Sequence, residues 1–213
     1  MKILVTGFDP FGGESINPAL ISVMKLPDEI DGAQIIKEKI PTVFYKSIDV
    51  LYEVLQRENP DAVICVGQAG ARSHITVERI AINADDAKIP DNEGNQPIDL
   101  PIFEGGPAAY FATLPIKGMV RDLTAIGLPA AISNTAGTFV CNHLMYGALH
   151  FAALNKPELR AGFVHIPYLP AQTVHKSGMP SMSEADIVKG LTAIIKTAIH
   201  VAEDVKMAGG SIC

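Results

Sequence analysis

The stretch Leu128-Pro-Ala-Ala-Ile-Ser133, then Asn134-Thr-Ala-Gly-Thr-Phe-Val, then Cys141-Asn-His143-Leu-Met-Tyr146 decides how the rest of the chain is read. Leu128 to Ser133 is an apolar run of strand length and predicts a buried strand. Gly137 falls in the connection that follows. The apolar stretch Leu144 to Leu154 predicts a helix. Cys141 therefore sits at or near a helix start. The unpaired N–H groups and positive dipole end there favour a thiolate over a thiol. The plain alternative is a buried structural cysteine, since free Cys is among the most buried residue types.

Working outward, the same strand–turn–helix unit recurs. Lys2 to Thr6 is apolar, β-branched and closed by Gly7, and predicts a buried first strand. Asn17-Pro18 opens a helix to about Lys25, with Asn as cap and Pro in the first turn. Gln34 to Ile40 predicts a second strand. A helix from Tyr45 to about Arg57 carries Ile48, Leu51, Tyr52 and Leu55 on one face. Asp61 to Val66 is a third strand containing Cys65, and Gly67-Gln-Ala-Gly70 reads as a tight loop after it. Thr76 to Asn83 alternates weakly as a strand. A long polar segment follows from Asp85 to Pro97, the kind of loop that often carries function. Pro115 to Ile126 predicts a helix stopped by Gly127. Phe163 to Tyr168 predicts a strand ending in a proline turn. Ser183 opens a capping box and a long helix with Ile187, Leu191, Ile194, Ile195, Ala198 and Ala202 inward. This alternation predicts one α/β domain over 1–213, three-layered α/β/α, with a mostly parallel, mixed central sheet. Residues 207–213 are Gly-rich and predict a frayed tail. There is no repeat, linker or second domain.

Composition narrows the function. The net charge of −6 without a basic stripe disfavours nucleic-acid binding. No apolar run is long enough to cross a bilayer. Met1 to Gly7 lacks the h-region and cleavage site of a signal peptide. Three cysteines, Cys65, Cys141 and Cys213, are no disulfide framework, and a reducing cytoplasm is expected.

A cysteine nucleophile needs a base, usually His, and a third group to orient it. Six histidines are present. His143, two residues from Cys141 on the same helix, does not share its face and is a poor partner. His74, His150, His175 and His200 show no convergent chemistry. His165 differs, because it ends an apolar strand that can share a sheet edge with the Cys141 helix start. For the third member, Glu78 lies in an apolar context, with Asp85, Asp86, Asp91 and Glu93 as alternatives. Glu78 with Arg79 also reads as a salt bridge. No paired Cys/His spacing suggests a metal. The loop Gly7-Phe-Asp-Pro-Phe-Gly-Gly13 is no dinucleotide fingerprint. Its rings, Phe8 and Phe11, either cap the sheet edge or line a pocket at the strand's carboxyl end, where α/β sheets bind ligands.

Taken together, Gly7-Phe-Asp-Pro-Phe-Gly-Gly13 with Asn17-Pro18, Gly67-Gln-Ala-Gly70, Glu78-Arg-Ile-Ala-Ile-Asn83, Ile89-Pro-Asp-Asn-Glu-Gly-Asn-Gln-Pro97, Ala136-Gly-Thr-Phe-Val-Cys-Asn-His143 and His165-Ile-Pro-Tyr168 resemble the pyroglutamyl peptidase I family, also called pyrrolidone carboxyl peptidase. The resemblance covers nearly the whole chain in order. It implies a cytoplasmic, cofactor-free cysteine exopeptidase that removes an N-terminal pyroglutamyl residue through a thioester, commonly as a homotetramer. It implies Cys141 as nucleophile, His165 as base and Glu78 as orienting acid, with pocket rings on Phe8 and Phe11. The family usually carries Arg where this chain has Lys88, which keeps the charge but loses the fork geometry. Gln68 is a further candidate contact, its loop's backbone groups facing the lactam. Helix-start N–H groups, helped by Lys88, are expected to hold the oxyanion. Two rivals remain: a glutamine amidotransferase-like Cys-His-Glu hydrolase, disfavoured because no His-x-Glu pair follows the cysteine, and a non-catalytic α/β module binding a small ring.

Overall fold

The computed structural model describes residues 1–210. In chain order the elements are β1 (Lys2–Phe8), α1 (Pro18–Met24), β2 (Glu29–Ile30), β3 (Ala33–Ile40), α2 (Lys46–Glu58), β4 (Ala62–Gln68), β5 (Ile75–Glu78), β6 (Ile80–Ile82), β7 (Ala109–Phe111), α3 (Ile116–Ala125), β8 (Ala130–Ser133), α4 (Val140–Asn155), β9 (Arg160–Ile166), α5 (Pro170–Thr173) and α6 (Glu184–His200).

Seven strands form one sheet in the order β2-β3-β1-β4-β9-β5-β8. β3, β1, β4 and β9 are parallel, while β2 runs against β3 and β5 against β9. The mostly parallel, mixed sheet is thus as expected. Its central strands are apolar on both sides because both sides are covered. Leu4, Val63, Cys65, Ala161 and Phe163 face the layer of α2 and α4. Ile3, Val5, Ile64, Val66, Val164 and Ile166 face the layer of α1, α3 and α6. Local chemistry supports the ends of two helices. Asn17 Oδ1 accepts from the Ala19 N–H, and Ser183 Oγ accepts from the Asp186 N–H.

Several boundaries differ from the sequence reading. The strand after Leu128 begins only at Ala130 and is half-buried throughout, because it is the sheet's edge. Its partner β5 runs parallel to it, so both run against β9. The segment Thr76–Asn83 is two strands rather than one. β5 belongs to the main sheet, whereas β6 pairs with β7 in a separate ribbon. Gly67 and Gln68 belong to β4 instead of the following loop, and Phe8 ends β1. The short strand β2 leaves no mark in the sequence, because two residues carry no periodicity. Ala202 lies beyond the end of α6 and is exposed. In the tail, Gly209 packs against Ile132 and its carbonyl accepts from Arg79. Cys213 and the last part of the frayed tail expected from Met207 onward lie outside the described residues.

The helix α4 is buried on every side, with eleven of its residues in the core. A helix apolar all round belongs inside a domain rather than on its surface. The sheet covers one side of α4, and α2 and the β6–β7 ribbon contact the rest. Among the described residues no helix is long and apolar enough to cross a membrane.

Candidate active site

α4 carries Cys141 in its first turn, and no side chain caps that helix start. The helix is held from below by its neighbours. Asn142 accepts from the Ile82 N–H and donates to the carbonyls of Ile82 and Ala84. The Asp86 N–H donates to the Thr138 carbonyl, and Thr138 Oγ1 donates back to the Asp86 carbonyl at 2.7 Å. The polar loop from Asp85 thus braces the turn that leads into the cysteine.

Cys141 lies over β4. A Cβ added at Gly67 would come within 3.0 Å of Cys141 Sγ and 2.7 Å of the Phe163 ring. Only glycine leaves room for the sulfur there. Gly67 is the register partner of His165 on the adjacent strand β9. Neighbouring strands lie about 4.8 Å apart, so the sulfur and the imidazole share one small region of the sheet. Downstream, Gly70 serves a similar purpose, since the Tyr168 ring occupies the space its Cβ would take.

His165 is buried, and its ring lies 4.7 Å from that of Phe163. Its Nδ1 bonds Glu78 Oε1 at 2.7 Å. That bond makes Nδ1 the protonated nitrogen, an assignment made from the network, and leaves Nε2 with no partner among the described residues. Burial lowers the His165 pKa from its ordinary value, against the pull of Glu78. The imidazole therefore rests neutral near pH 7, the form a general base requires.

Glu78 is fully buried. Burial by itself would raise its pKa, but hydrogen bonds from His165 and Arg72 hold it below the usual carboxylate range. Arg72 Nη1 donates to Glu78 Oε1 at 2.5 Å and also to Thr76 Oγ1, while Nη2 donates to the Thr135 carbonyl at 3.3 Å. Glu78 is thus paired with Arg72 and not with its chain neighbour Arg79, which bonds Asn134 and Gly209 instead.

The thiol departs from expectation. Burial and the Glu78 carboxylate push Cys141 up to about 12, although Arg72 acts in the other direction. A helix start favours the anion by a few tenths to about 2 kcal/mol, too little to offset desolvation beside a carboxylate. The resting sulfur is a thiol over Gly67, the register partner of the neutral His165. Cys65 is pushed up to about 12 by burial and lies in the core, as its strand position predicts.

Of the alternative acids, Asp85 bonds His143, Asp91 accepts from the N–H groups of Phe44, Glu93 and Asn95, and Glu93 pairs with Lys46. Asp86 is exposed. None of them bonds His165. The two loop rings separate. Phe8 is buried in the core, 6.3 Å from Phe163, whereas Phe11 is half-buried and lies 6.1 Å from Phe139. The Gln68 side chain is engaged, since its Oε1 accepts from Gln172 Nε2 at 2.9 Å. Lys88 is exposed on the braced loop, with no ion pair or hydrogen bond among the described residues. Arg72 carries almost no signal in the sequence. Its only signal was a lone cation in the loop directly after β4.

An α/β sheet that gathers a cysteine, a neutral histidine and a buried carboxylate at one spot belongs to the cysteine-type hydrolases. Within that class the match is specific. Residues 1–201 match the family described as pyroglutamyl peptidase, and the chain belongs to it. It is 62% identical to the pyrrolidone-carboxylate peptidase of Alkaliphilus oremlandii (strain OhILAs) and 56% identical to that of Clostridium perfringens (strain 13 / Type A), covering 100% of both chains in each case. Its fold is similar to the crystal structure of pyroglutamyl peptidase I from Bacillus amyloliquefaciens. That match has a TM-score of 0.95 at 50% identity, covering 97% of this chain and 99% of the other. A mutant pyrrolidone carboxyl peptidase from Pyrococcus furiosus matches with a TM-score of 0.91 at 45% identity, covering 93% and 98%.

Proposed function

We propose that the chain hydrolyses the amide bond that follows an N-terminal pyroglutamyl residue, with Cys141 as nucleophile, His165 as general base and acid, and Glu78 as the group that orients His165. The observation that carries this reading is the sulfur of Cys141 lying over Gly67, the register partner of a histidine whose other nitrogen is tied to Glu78.

Because the thiol is not pre-ionised, its proton moves to His165 Nε2 as the sulfur attacks the carbonyl carbon. The carbonyl oxygen becomes an oxyanion, and the first-turn N–H groups of α4, which no side chain caps, are the donors assigned to it. The C–N bond then breaks, and His165 returns the proton to the departing amine. The thioester that remains is attacked by water. His165 takes the water's proton, the C–S bond breaks, and the sulfur recovers a proton as pyroglutamate leaves. Ionised Glu78 stabilises the imidazolium that forms twice in this cycle.

Phe11, half-buried, offers a face to the flat lactam ring, and Phe8 supports the site from the core beneath Phe163. Backbone groups near Gln68 are the partners assigned to the lactam N–H and C=O. Prolyl and glutaminyl termini carry a charged amine that such a slot cannot solvate. Discrimination of about 10⁴-fold against them is expected. The same reading assigns N-terminally pyroglutamyl peptides as partners, a cytoplasmic location and a homotetrameric assembly, the last checked by light scattering.

The test is release of a chromophore from pyroglutamyl, prolyl and glutaminyl amides by the wild type and by Cys141→Ser. Efficient release from the pyroglutamyl amide alone, lost in the folded serine variant, is expected. Equal kcat/KM on pyroglutamyl and prolyl substrates, or wild-type turnover by Cys141→Ser, would overturn the proposal.

A further inference from the structure

Glu78 Oε1 accepts two hydrogen bonds, one from His165 Nδ1 at 2.7 Å and one from Arg72 Nη1 at 2.5 Å. The cation and the imidazole therefore compete for the same carboxylate oxygen. The other oxygen, Oε2, is buried and has no hydrogen-bond partner among the described residues, so it does not relieve that competition. Arg72 also bonds Thr76 Oγ1, and Thr76 is the register partner of His165. Its second nitrogen reaches the Thr135 carbonyl in the turn before Cys141. One side chain, planted in the loop after β4, thus touches the acid, the strand beside the base and the loop that delivers the nucleophile.

We infer that Arg72 is a positioning residue that sets the pH at which the Glu78–His165 pair takes up its proton, by placing a fixed positive charge on the oxygen that the imidazole shares. This rests on the catalytic roles proposed above for Glu78 and His165.

Among the described residues the charged and titratable groups about His165 are few. They are Glu78 from β5, Arg72 from the loop after β4, Cys141 from the start of α4, and Cys65 in β4, two residues before Gly67. Cys65 and Cys141 both rest as thiols. Arg72 is then the only cation in that set, and Glu78 the only anion. Two interacting groups titrate as a pair. Adding a proton to the neutral-His165, ionised-Glu78 pair raises its charge by one. Arg72 opposes that gain whichever of the two groups receives the proton. Without Arg72 the pair takes its proton at a higher pH, and the base is lost earlier on the acid side. A charge within about 4–6 Å shifts such an equilibrium by about one pH unit or more.

The experiment measures the acid limb in two ways, for wild type, Arg72→Gln, Arg72→Met and Arg72→Lys, all in a Cys213→Ser background. One readout is kcat/KM on a pyroglutamyl amide from pH 4 to 9 (about that range, spanning the ordinary His value). The other is the rate of Cys141 alkylation by iodoacetamide, which needs no substrate. The expected result is an acid limb displaced upward by about one unit in either neutral variant, with Arg72→Lys between them and wild type. A neutral variant that folds, slows uniformly and keeps the wild-type limb would overturn the proposal. Failure of both neutral variants to fold while Arg72→Lys folds would also overturn it, making the charge structural. A shifted alkylation limb without pyroglutamyl turnover in the wild type would keep this inference and sink the substrate assignment. Turnover with an unmoved limb would do the reverse.

Discussion

Among the described residues, two buried histidine–carboxylate pairs are built on the same plan. His165 bonds Glu78 and His143 bonds Asp85, each through Nδ1 at 2.7 Å. Both carboxylates are fully buried, and each keeps one oxygen without a hydrogen-bond partner among the described residues. The difference lies at the far nitrogen. His143 Nε2 accepts from the Tyr45 N–H at 2.9 Å, and its ring sits among Phe44 and Tyr45. Both of its nitrogens are committed, so it fastens α4 to the start of α2, where Tyr45 holds a positive φ of 61°. His165 Nε2 has no partner among the described residues, and its residue is the register partner of the Gly67 over which the sulfur lies. A second difference is Arg72, which joins the Glu78 pair and has no counterpart at Asp85 among the described residues. A buried His–carboxylate pair is therefore not a catalytic signal in itself. On the proposed function, what the other nitrogen does separates the pair that works on a substrate from the one that holds the fold together.

The sharpest way to break this comparison is to remove each histidine in turn. His165→Ala is expected to lower kcat by about 10²–10⁴-fold with the fold retained, measured on a pyroglutamyl amide alongside a melting curve. His143→Ala is expected to act on the fold instead. It strands Asp85 as an unpaired buried carboxylate and lowers unfolding free energy by about 3–5 kcal/mol, read by urea denaturation. Equal activity loss with equal stability loss in the two variants would erase the distinction.

The two members of one pair are expected to act as a unit. Glu78→Gln keeps a hydrogen-bonding oxygen and should cost less activity than His165→Ala, and the double variant should cost less than the product of the two single losses. A fully multiplicative loss in kcat would mean that Glu78 and His165 act independently.

A smaller effect is expected from pH on stability. The folded-state pKa of His165 is lowered below its unfolded value. Its contribution is therefore fully present above the unfolded value, about 6.5, and is lost as pH falls toward the folded value. The stability difference between wild type and His165→Asn should shrink across that window, measured by denaturation at successive pH values. A pH-independent difference would contradict the burial-driven shift. The smallest effect is assigned to Lys88. Being exposed and unpaired among the described residues, it should influence kcat only through a developing oxyanion. Lys88→Met is expected to lower kcat a few-fold and Lys88→Arg to preserve it, with an unchanged kcat in the Met variant removing Lys88 from the reaction.

Much of this was legible in the linear chain because local physics wrote it there. The apolar runs around Ile64 and Val164 lack alternation, as strands covered on both faces must. Asn17-Pro18 and Ser183 mark helix starts that form as read. The exclusion of His143 as a partner for Cys141 followed from helical spacing alone, and the structure gives His143 a different bond. The Cys141 position was equally readable, but its protonation was not. The helix dipole is local to the sequence, whereas the Glu78 charge comes from a strand more than sixty residues away and the desolvation exists only once the fold closes around the sulfur.

What the sequence determined by itself was the central buried strands and the longer helices, the cysteine at a helix start and the histidine at a strand's end, since each depends on neighbours a few residues apart. Only the tertiary structure chose Glu78 over Asp85, Asp86, Asp91 and Glu93. It likewise reversed β5 and β8 against β9, moved Phe8 into the core and brought Arg72 to the shared oxygen. Those outcomes depend on which strands become neighbours. A carboxylate's partner is settled by distances of a few ångströms between segments that have no fixed separation until the sheet forms.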